Sequence, residues 1–136
     1  MKRVKVSRKA HFNAAHRLHR KDWSDAENEA HFGKCSNPHF HGHNYELIVS
    51  VTGPIDPNTG YVMDMKILKD HIKREVEDAF DHKNLNLEVP EFSDLIPTAE
   101  NIAVVIHQKL KKILTSEQNL EVVLYETPRN FVTYSD

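Results

Sequence analysis

The segment Cys35-Ser36-Asn37-Pro38-His39-Phe40-His41-Gly42-His43-Asn44 concentrates side chains able to do chemistry. His41 and His43 are two residues apart, a spacing that points both imidazoles to one side of a β-strand. Imidazole binds transition metals and titrates near neutrality, and the chain holds ten histidines among 136 residues. Three imidazoles with an open fourth position make the pattern of a catalytic zinc site, whereas structural sites are closed by four protein ligands. His16, in Phe12-Asn13-Ala14-Ala15-His16-Arg17-Leu18, supplies a third ligand if the first two strands are hairpin neighbours. Spacing leaves the set open. His39 is in phase with His41 and His43, and His19 and His31 compete with His16. A His-x-His pair also occurs as turn or surface histidines that hold no metal.

Cys35 is the only cysteine, so no intrachain disulfide forms. Near a metal cation a thiol loses its proton more readily and becomes a base or nucleophile. The alternative is a buried cysteine acting as a small hydrophobe. The polar, turn-rich neighbours Gly33, Lys34, Ser36, Asn37 and Pro38 favour an exposed thiol. Asp81-His82 closes a helical segment. A carboxylate beside an imidazole can orient it for proton transfer, although adjacent residues often point apart and a histidine at a helix C-terminus also suits the helix dipole. Glu126 ends a strand before a turn, where a carboxylate can accept two N–H donors from the edge of a guanidine-like ring, or simply be solvated.

These residues need a frame. Arg3 to Arg8 alternates as a half-buried strand does, and Asn44 to Thr52 is rich in β-branched and aromatic residues. Gly53 to Gly60 is a dense turn signal, and Tyr61-Val62-Met63 is expected to pair back as a short strand. Asp64 is expected to cap a helix whose buried stripe is Met65, Leu68, Ile72, Val76 and Ala79. Thr98 is expected to cap a second helix with Ile102, Ile106, Leu110 and Ile113 as its stripe. Leu120 to Tyr125 and Phe131 to Tyr134 read as a closing hairpin around Glu126-Thr127-Pro128-Arg129-Asn130. The order predicts an α+β fold, a four-stranded antiparallel sheet with two helices on one face. The other face is then left to be covered by further copies of the chain.

Composition narrows the partners. Lys and Arg number 18 against 20 Asp and Glu, and 18 − 20 gives −2. That balance argues against general nucleic-acid binding, which needs excess cations. No apolar run approaches the roughly 20 residues that span a bilayer, and no secretory signal follows Met1-Lys2-Arg3. One domain over residues 1–136, working in the cytoplasm without nucleic acid or membrane, is the expectation.

The motifs together resemble the 6-pyruvoyl tetrahydropterin synthase and QueD family. The matching segments are Phe12 to Leu18, Phe32 to Pro38, His41 to Tyr45, Asp56-Pro57, Val62-Met63-Asp64, Asp81 to Leu85, Pro97 to Asn101 and Tyr125-Glu126-Thr127. They run in order through nearly the whole chain. The resemblance implies that His16, His41 and His43 hold Zn2+, that Cys35 is the general base, and that Asp81 and His82 relay protons. It implies that Glu126 anchors the pterin ring and that Thr98 and Glu100 line its pocket. The implied substrate is 7,8-dihydroneopterin triphosphate. The implied architecture is the T-fold, with trimers closing a β-barrel and two trimers stacking into a homo-hexamer whose active sites lie at subunit interfaces.

Two products compete within that family. One reaction expels triphosphate and gives 6-pyruvoyl tetrahydropterin. The other also releases acetaldehyde and gives 6-carboxy-5,6,7,8-tetrahydropterin, toward queuosine. Five residues between Cys35 and His41, including Asn37-Pro38, resemble the pyruvoyl branch. Ala99 and Glu126-Thr127-Pro128-Arg129-Asn130 resemble QueD, and His39-Phe40 replaces the Asn-Gly common in the pyruvoyl branch. A non-catalytic pterin- or metal-binding homologue has no need of Cys35, Asp81 and His82 together. A zinc hydrolase using metal-bound water would not depend on Cys35.

Overall fold

The computed structural model describes residues 2–136. Its centre is a long antiparallel pair, β1 (Arg3–His16) against β2 (His41–Pro54). The hairpin β4 (Asn119–Tyr125) and β5 (Phe131–Ser135) extends the sheet beyond β2, and β3 (Lys83–Asn84) adds to β1 on the other side. The sheet has five strands in the order β3-β1-β2-β4-β5. The expected four-stranded antiparallel sheet is corrected by β3, which pairs parallel to β1 through Ala14↔Lys83 and Ala15↔Asn84. Two residues carry no periodicity that a sequence can display, so this strand exists only through its pairing.

The sheet alternates cleanly because one face is covered. Phe12 and Ala14 of β1, Tyr45, Leu47, Val49 and Val51 of β2, and Leu120, Val122 and Leu124 of β4 are all buried. They join one core with Leu68, Ile72 and Val76 and with Ile102, Ile106 and Leu110. Those two stripes come from the helical segment over residues 65–80 and from α5 (Ala99–Lys111). The opposite face exposes Lys5, Lys9, His11 and Asn13 of β1 and Asn44 and Glu46 of β2.

Asp64 caps α2 (Met65–Ile72) by accepting from the Lys66 N–H at 2.9 Å, as its position predicts. The helix then widens into a π-helical stretch over Lys73–Glu77 and finishes as α3 (Asp78–Phe80). Thr98 caps α5, its hydroxyl accepting from the Asn101 N–H at 3.2 Å.

Three further expectations are corrected. Both central strands run longer than predicted: β1 continues eight residues past Arg8, through Ala10, Asn13, Ala14 and Ala15, because pairing with β2 overrides their weak strand preference. Tyr61-Val62-Met63 is not a strand. It is held instead by Asp56 N–H donating to the Tyr61 carbonyl at 2.8 Å and by Gln118 Nε2 donating to the Val62 carbonyl at 2.9 Å. A helix absent from the expected order, α1 (Asp25–Phe32), follows Ser24. Ser24 and Glu27 form a reciprocal capping box, the Ser-x-x-Glu signal that marked it in the sequence. Its only fully buried residue is Asn28, so no apolar stripe betrayed it. A short α4 (Leu85–Glu88) follows β3, capped by Asn84.

Candidate metal and pterin site

Register builds the site. His16 and His41 are directly paired across β1 and β2, and His43 faces Ala14 two places along. Alternation therefore sends all three imidazoles to the covered face, at the end of the core beyond Tyr45. One nitrogen from each lies within 4.8 Å of the other two. The ring centroids of His16 and His41 are 4.5 Å apart, and each is 5.0 Å from His43.

His16 is fully buried, and its Nδ1 lies 2.8 Å from the Pro97 carbonyl. A carbonyl only accepts, so Nδ1 carries the hydrogen and Nε2 presents a lone pair. Burial pushes the His16 pKa down to about 4, with His41 and His43 pushing the same way and the Pro97 carbonyl opposing them. His41 is also lowered, first by burial and then by His43, against the opposing charge of Glu126. Neutral imidazoles are the form that binds metal. His16 Nε2, both ring nitrogens of His41 and His43 Nε2 are buried without a hydrogen-bond partner. Buried polar atoms are ordinarily paired, so convergent orphan nitrogens fit a metal ion, and a three-imidazole set leaves the open position of a catalytic zinc site.

The open alternatives close on geometry. Among the described residues, His16, His41 and His43 are the group able to hold a metal. His39 lies outside the strand and is exposed. Phe40 takes a φ of 68° immediately before β2, which breaks the alternation that had kept His39 in phase. His31 packs against Trp23 at 4.7 Å.

Around the centre, Tyr45 stacks on Phe12 at 4.8 Å and sets its hydroxyl 3.3 Å from His16 Nδ1. Burial raises the Tyr45 phenol pKa, and the nearby Glu126 and Cys35 raise it further. Cys35 sits on the tight turn Gly33–Ser36, partly exposed, with its carbonyl accepting from Leu18 N–H at 2.8 Å. That bond ties the turn to the residues just after His16. Glu126 places Oε1 3.9 Å from His43 Nε2, on a hairpin loop where Thr127 Oγ1 accepts from the Arg129 and Asn130 amides. Thr98 follows Pro97, and the exposed Glu100 lies in the first turn of α5.

Asp81 and His82 do pair with each other, Asp81 Oδ2 lying 2.9 Å from His82 Nδ1. The pair is clamped to β1. Asp81 Oδ1 accepts from Asn13 N–H at 2.8 Å, and His82 N–H donates to the Asn13 carbonyl at 2.6 Å. The Asn13 amide holds the Asp81 carboxyl below the usual carboxylate range, and His82 adds to this. His82 adopts a φ of 60°, a conformation that non-glycine residues rarely take. Its side chain is 83% exposed, and among the described residues it makes no hydrogen bond to Cys35 or to the three histidines. Within one chain the pair is tied to the Asn13 backbone of β1 and not to the histidine centre.

Sequence reasoning missed Pro97 and Tyr45 as the groups that hold His16. Tyr45 was legible, being in phase two residues after His43. Pro97 was not, since only tertiary packing brings its carbonyl to His16.

The family model of 6-pyruvoyl tetrahydropterin synthase matches residues 5–136. The chain belongs to this family. It is 48% identical over 131 residues to the 6-pyruvoyl tetrahydrobiopterin synthase of Pongo abelii, covering 96% of this chain and 90% of that one. The structure of 6-pyruvoyl tetrahydropterin synthase from Caenorhabditis elegans superposes with a TM-score of 0.93 at 40% identity, covering 100% of this chain and 97% of that one. Identity to the 6-carboxy-5,6,7,8-tetrahydropterin synthase of Rickettsia conorii is 30% over 147 residues, covering 95% and 98%. The structural likeness makes the fold that of the synthase family, the T-fold that the motifs implied.

Proposed function

We propose that this chain is a zinc-dependent lyase that converts 7,8-dihydroneopterin triphosphate to 6-pyruvoyl tetrahydropterin with loss of triphosphate. The observation that carries the reading is the convergence of His16, His41 and His43 beside Glu126 and the Cys35 turn, in a chain 48% identical to a synthase of that name. The lower identity to the 6-carboxy enzymes, 30%, favours the pyruvoyl product over the alternative with acetaldehyde release.

His16, His41 and His43 would hold the metal, and when bound zinc supplies Lewis acidity to the oxygens of the substrate side chain. Glu126 accepts from the amino group and ring N–H of the pterin, a charge-assisted pair that fixes the ring's orientation. Cys35 removes the side-chain proton. Asp81 holds His82 through Nδ1, leaving Nε2 to carry a proton. Thr98 and Glu100 line the ring pocket. Oxidation of the side chain is balanced by reduction of the pterin ring as triphosphate departs, so no external redox partner enters.

Residues 1–136 act as one domain in this reading, in the cytoplasm, as a dimer of trimers. Edge-to-edge trimers would cover the polar sheet face and bring the exposed His82 of one copy to the histidine centre of the next. The 83% exposure of the His82 side chain supports this assembly. Among the described residues no helix is long and apolar enough to cross a membrane.

The test is incubation of zinc-loaded protein with 7,8-dihydroneopterin triphosphate, with products read by mass spectrometry. Accumulation of 6-pyruvoyl tetrahydropterin is expected. Appearance of 6-carboxy-tetrahydropterin and acetaldehyde would assign the other branch, and no conversion would leave a binding protein.

A further inference from the structure

A cleft of about 710 Å³ opens behind the Cys35 turn. Its lining includes Arg17, Lys34 and His39, together with Asn37 and with Asp25 and Glu29 of α1. Arg17, Lys34 and His39 belong to the segments that carry His16, Cys35 and His41. Arg17 follows His16, Lys34 precedes Cys35, and His39 lies two residues before His41.

Each of these groups is poised. Arg17 Nε donates to the Ser36 carbonyl at 2.7 Å, which aims the guanidinium while leaving its terminal nitrogens without a partner among the described residues. Asn86 fixes the Arg17 backbone from both sides, accepting from its N–H at 2.8 Å and donating to its carbonyl at 2.9 Å. Asn37 Oδ1 accepts from His39 N–H at 2.8 Å and sets that residue at the rim. Among the described residues, the Lys34 ammonium and the His39 ring form no ion pair or hydrogen bond, and Asp25 and Glu29 neutralise neither Arg17 nor Lys34 by direct contact.

We propose that this cleft is the subsite for the triphosphate tail of the substrate, with Arg17, Lys34 and His39 as its anion-binding residues. The proposal rests on the synthase reading for the identity of the tail. A guanidinium held by its Nε presents the two-pronged donor geometry that suits phosphate, and an ammonium beside it adds a mobile point charge. A chain of phosphates attached to a substrate at the histidine centre would meet unpaired cations here, on Arg17 and Lys34, which adjoin His16 and Cys35 in the chain. Asp25 and Glu29 of α1 oppose the anion and limit its affinity, which lets the product triphosphate leave.

The probe is inorganic tripolyphosphate, titrated calorimetrically into zinc-loaded protein. Lys34→Ala with His39→Ala is expected to weaken its binding roughly tenfold or more, the scale of losing charge-assisted hydrogen bonds. KM for the triphosphate substrate should rise in parallel, while zinc content and binding of phosphate-free 7,8-dihydroneopterin stay as in wild type. Asp25→Asn with Glu29→Gln, on an exposed helix face, should tighten tripolyphosphate binding. Unchanged tripolyphosphate affinity in both double variants would overturn the subsite even if the wild-type protein turns over substrate normally. Conversely, the expected affinity changes in a protein that releases no product would keep the subsite and overturn the synthase reading.

Discussion

The histidine centre and the Asp81–His82 pair are both built on β1, yet they are held in opposite ways. His16 is fully buried, paired in register with His41, and fixed through Nδ1 by a carbonyl 81 residues away. His82 is 83% exposed and is held by its neighbour Asp81 and by the backbone of Asn13. The first is complete within one chain, because strand alternation and a covered face converge on it. The second is oriented but, among the described residues, makes no hydrogen bond to Cys35 or to the three histidines. A metal ligand set must be rigid and dry to keep neutral imidazoles converged, whereas a proton relay can be delivered by a neighbouring copy.

Substitutions sharpen this contrast, beginning with the largest effect. His16→Ala should release the metal and abolish turnover, read by elemental analysis of the purified protein. Stoichiometric zinc in that variant would sink the ligand assignment. Cys35→Ala should keep its zinc and lose about 100- to 10,000-fold in kcat, the usual contribution of a positioned base. A hydrolytic enzyme working through metal-bound water would show intact activity instead.

His82→Ala should retain zinc and fold and lose roughly 100-fold in kcat. If the relay serves a neighbouring copy, refolding a mixture of Cys35→Ala and His82→Ala chains restores part of the activity that neither has alone. Absence of any restoration in verified mixed oligomers would place the pair's partner within its own chain and erase the contrast. On the proposed roles, Glu126→Gln should act mainly on KM, by roughly 10- to 100-fold, since it removes the proposed charged acceptor for the ring and leaves Cys35 in place. An effect confined to kcat would move Glu126 from binding into the chemistry.

The smallest effect concerns the far end of the sheet. Burial opposes ionisation of Asp136, but Lys111 and His107 outweigh it and draw its pKa from 3.8 down to about 2. Because the folded value lies below the unfolded one, the contribution is present above 3.8 and is lost as pH falls toward 2. Asp136→Asn should cost about 1–2 kcal/mol at neutral pH after solvent screening, and the difference from wild type should vanish in acid, measured by chemical denaturation.

Much of the fold was legible because its signals are local. Asp64 and Thr98 announce their helices by side chains that accept from the first turn, and Val4, Val6 and the run from Tyr45 to Val51 announce strands. The strand Lys83–Asn84 and the conformation of Tyr61 to Met63 were not, because each depends on a partner distant in sequence. The same division runs through the site. His41 and His43 share a face by spacing alone, and the family motifs pointed to His16. Spacing could not exclude His39, since only the backbone turn at Phe40 takes it out of phase.

The sequence by itself determined which residue types meet chemistry here: a His-x-His pair, one cysteine, an adjacent Asp and His, and a carboxylate at a strand end. It also determined the strand and helix stripes that carry them, since periodicity and caps are encoded within a few residues. Tertiary structure alone decided that His16 stands opposite His41, that Pro97 fixes its tautomer, and that Asp81–His82 is clamped to the Asn13 backbone. The physical reason is that register, a carbonyl's approach and a backbone clamp are set by contacts between segments tens of residues apart. Such contacts are energies of packing and pairing, and no local pattern records them.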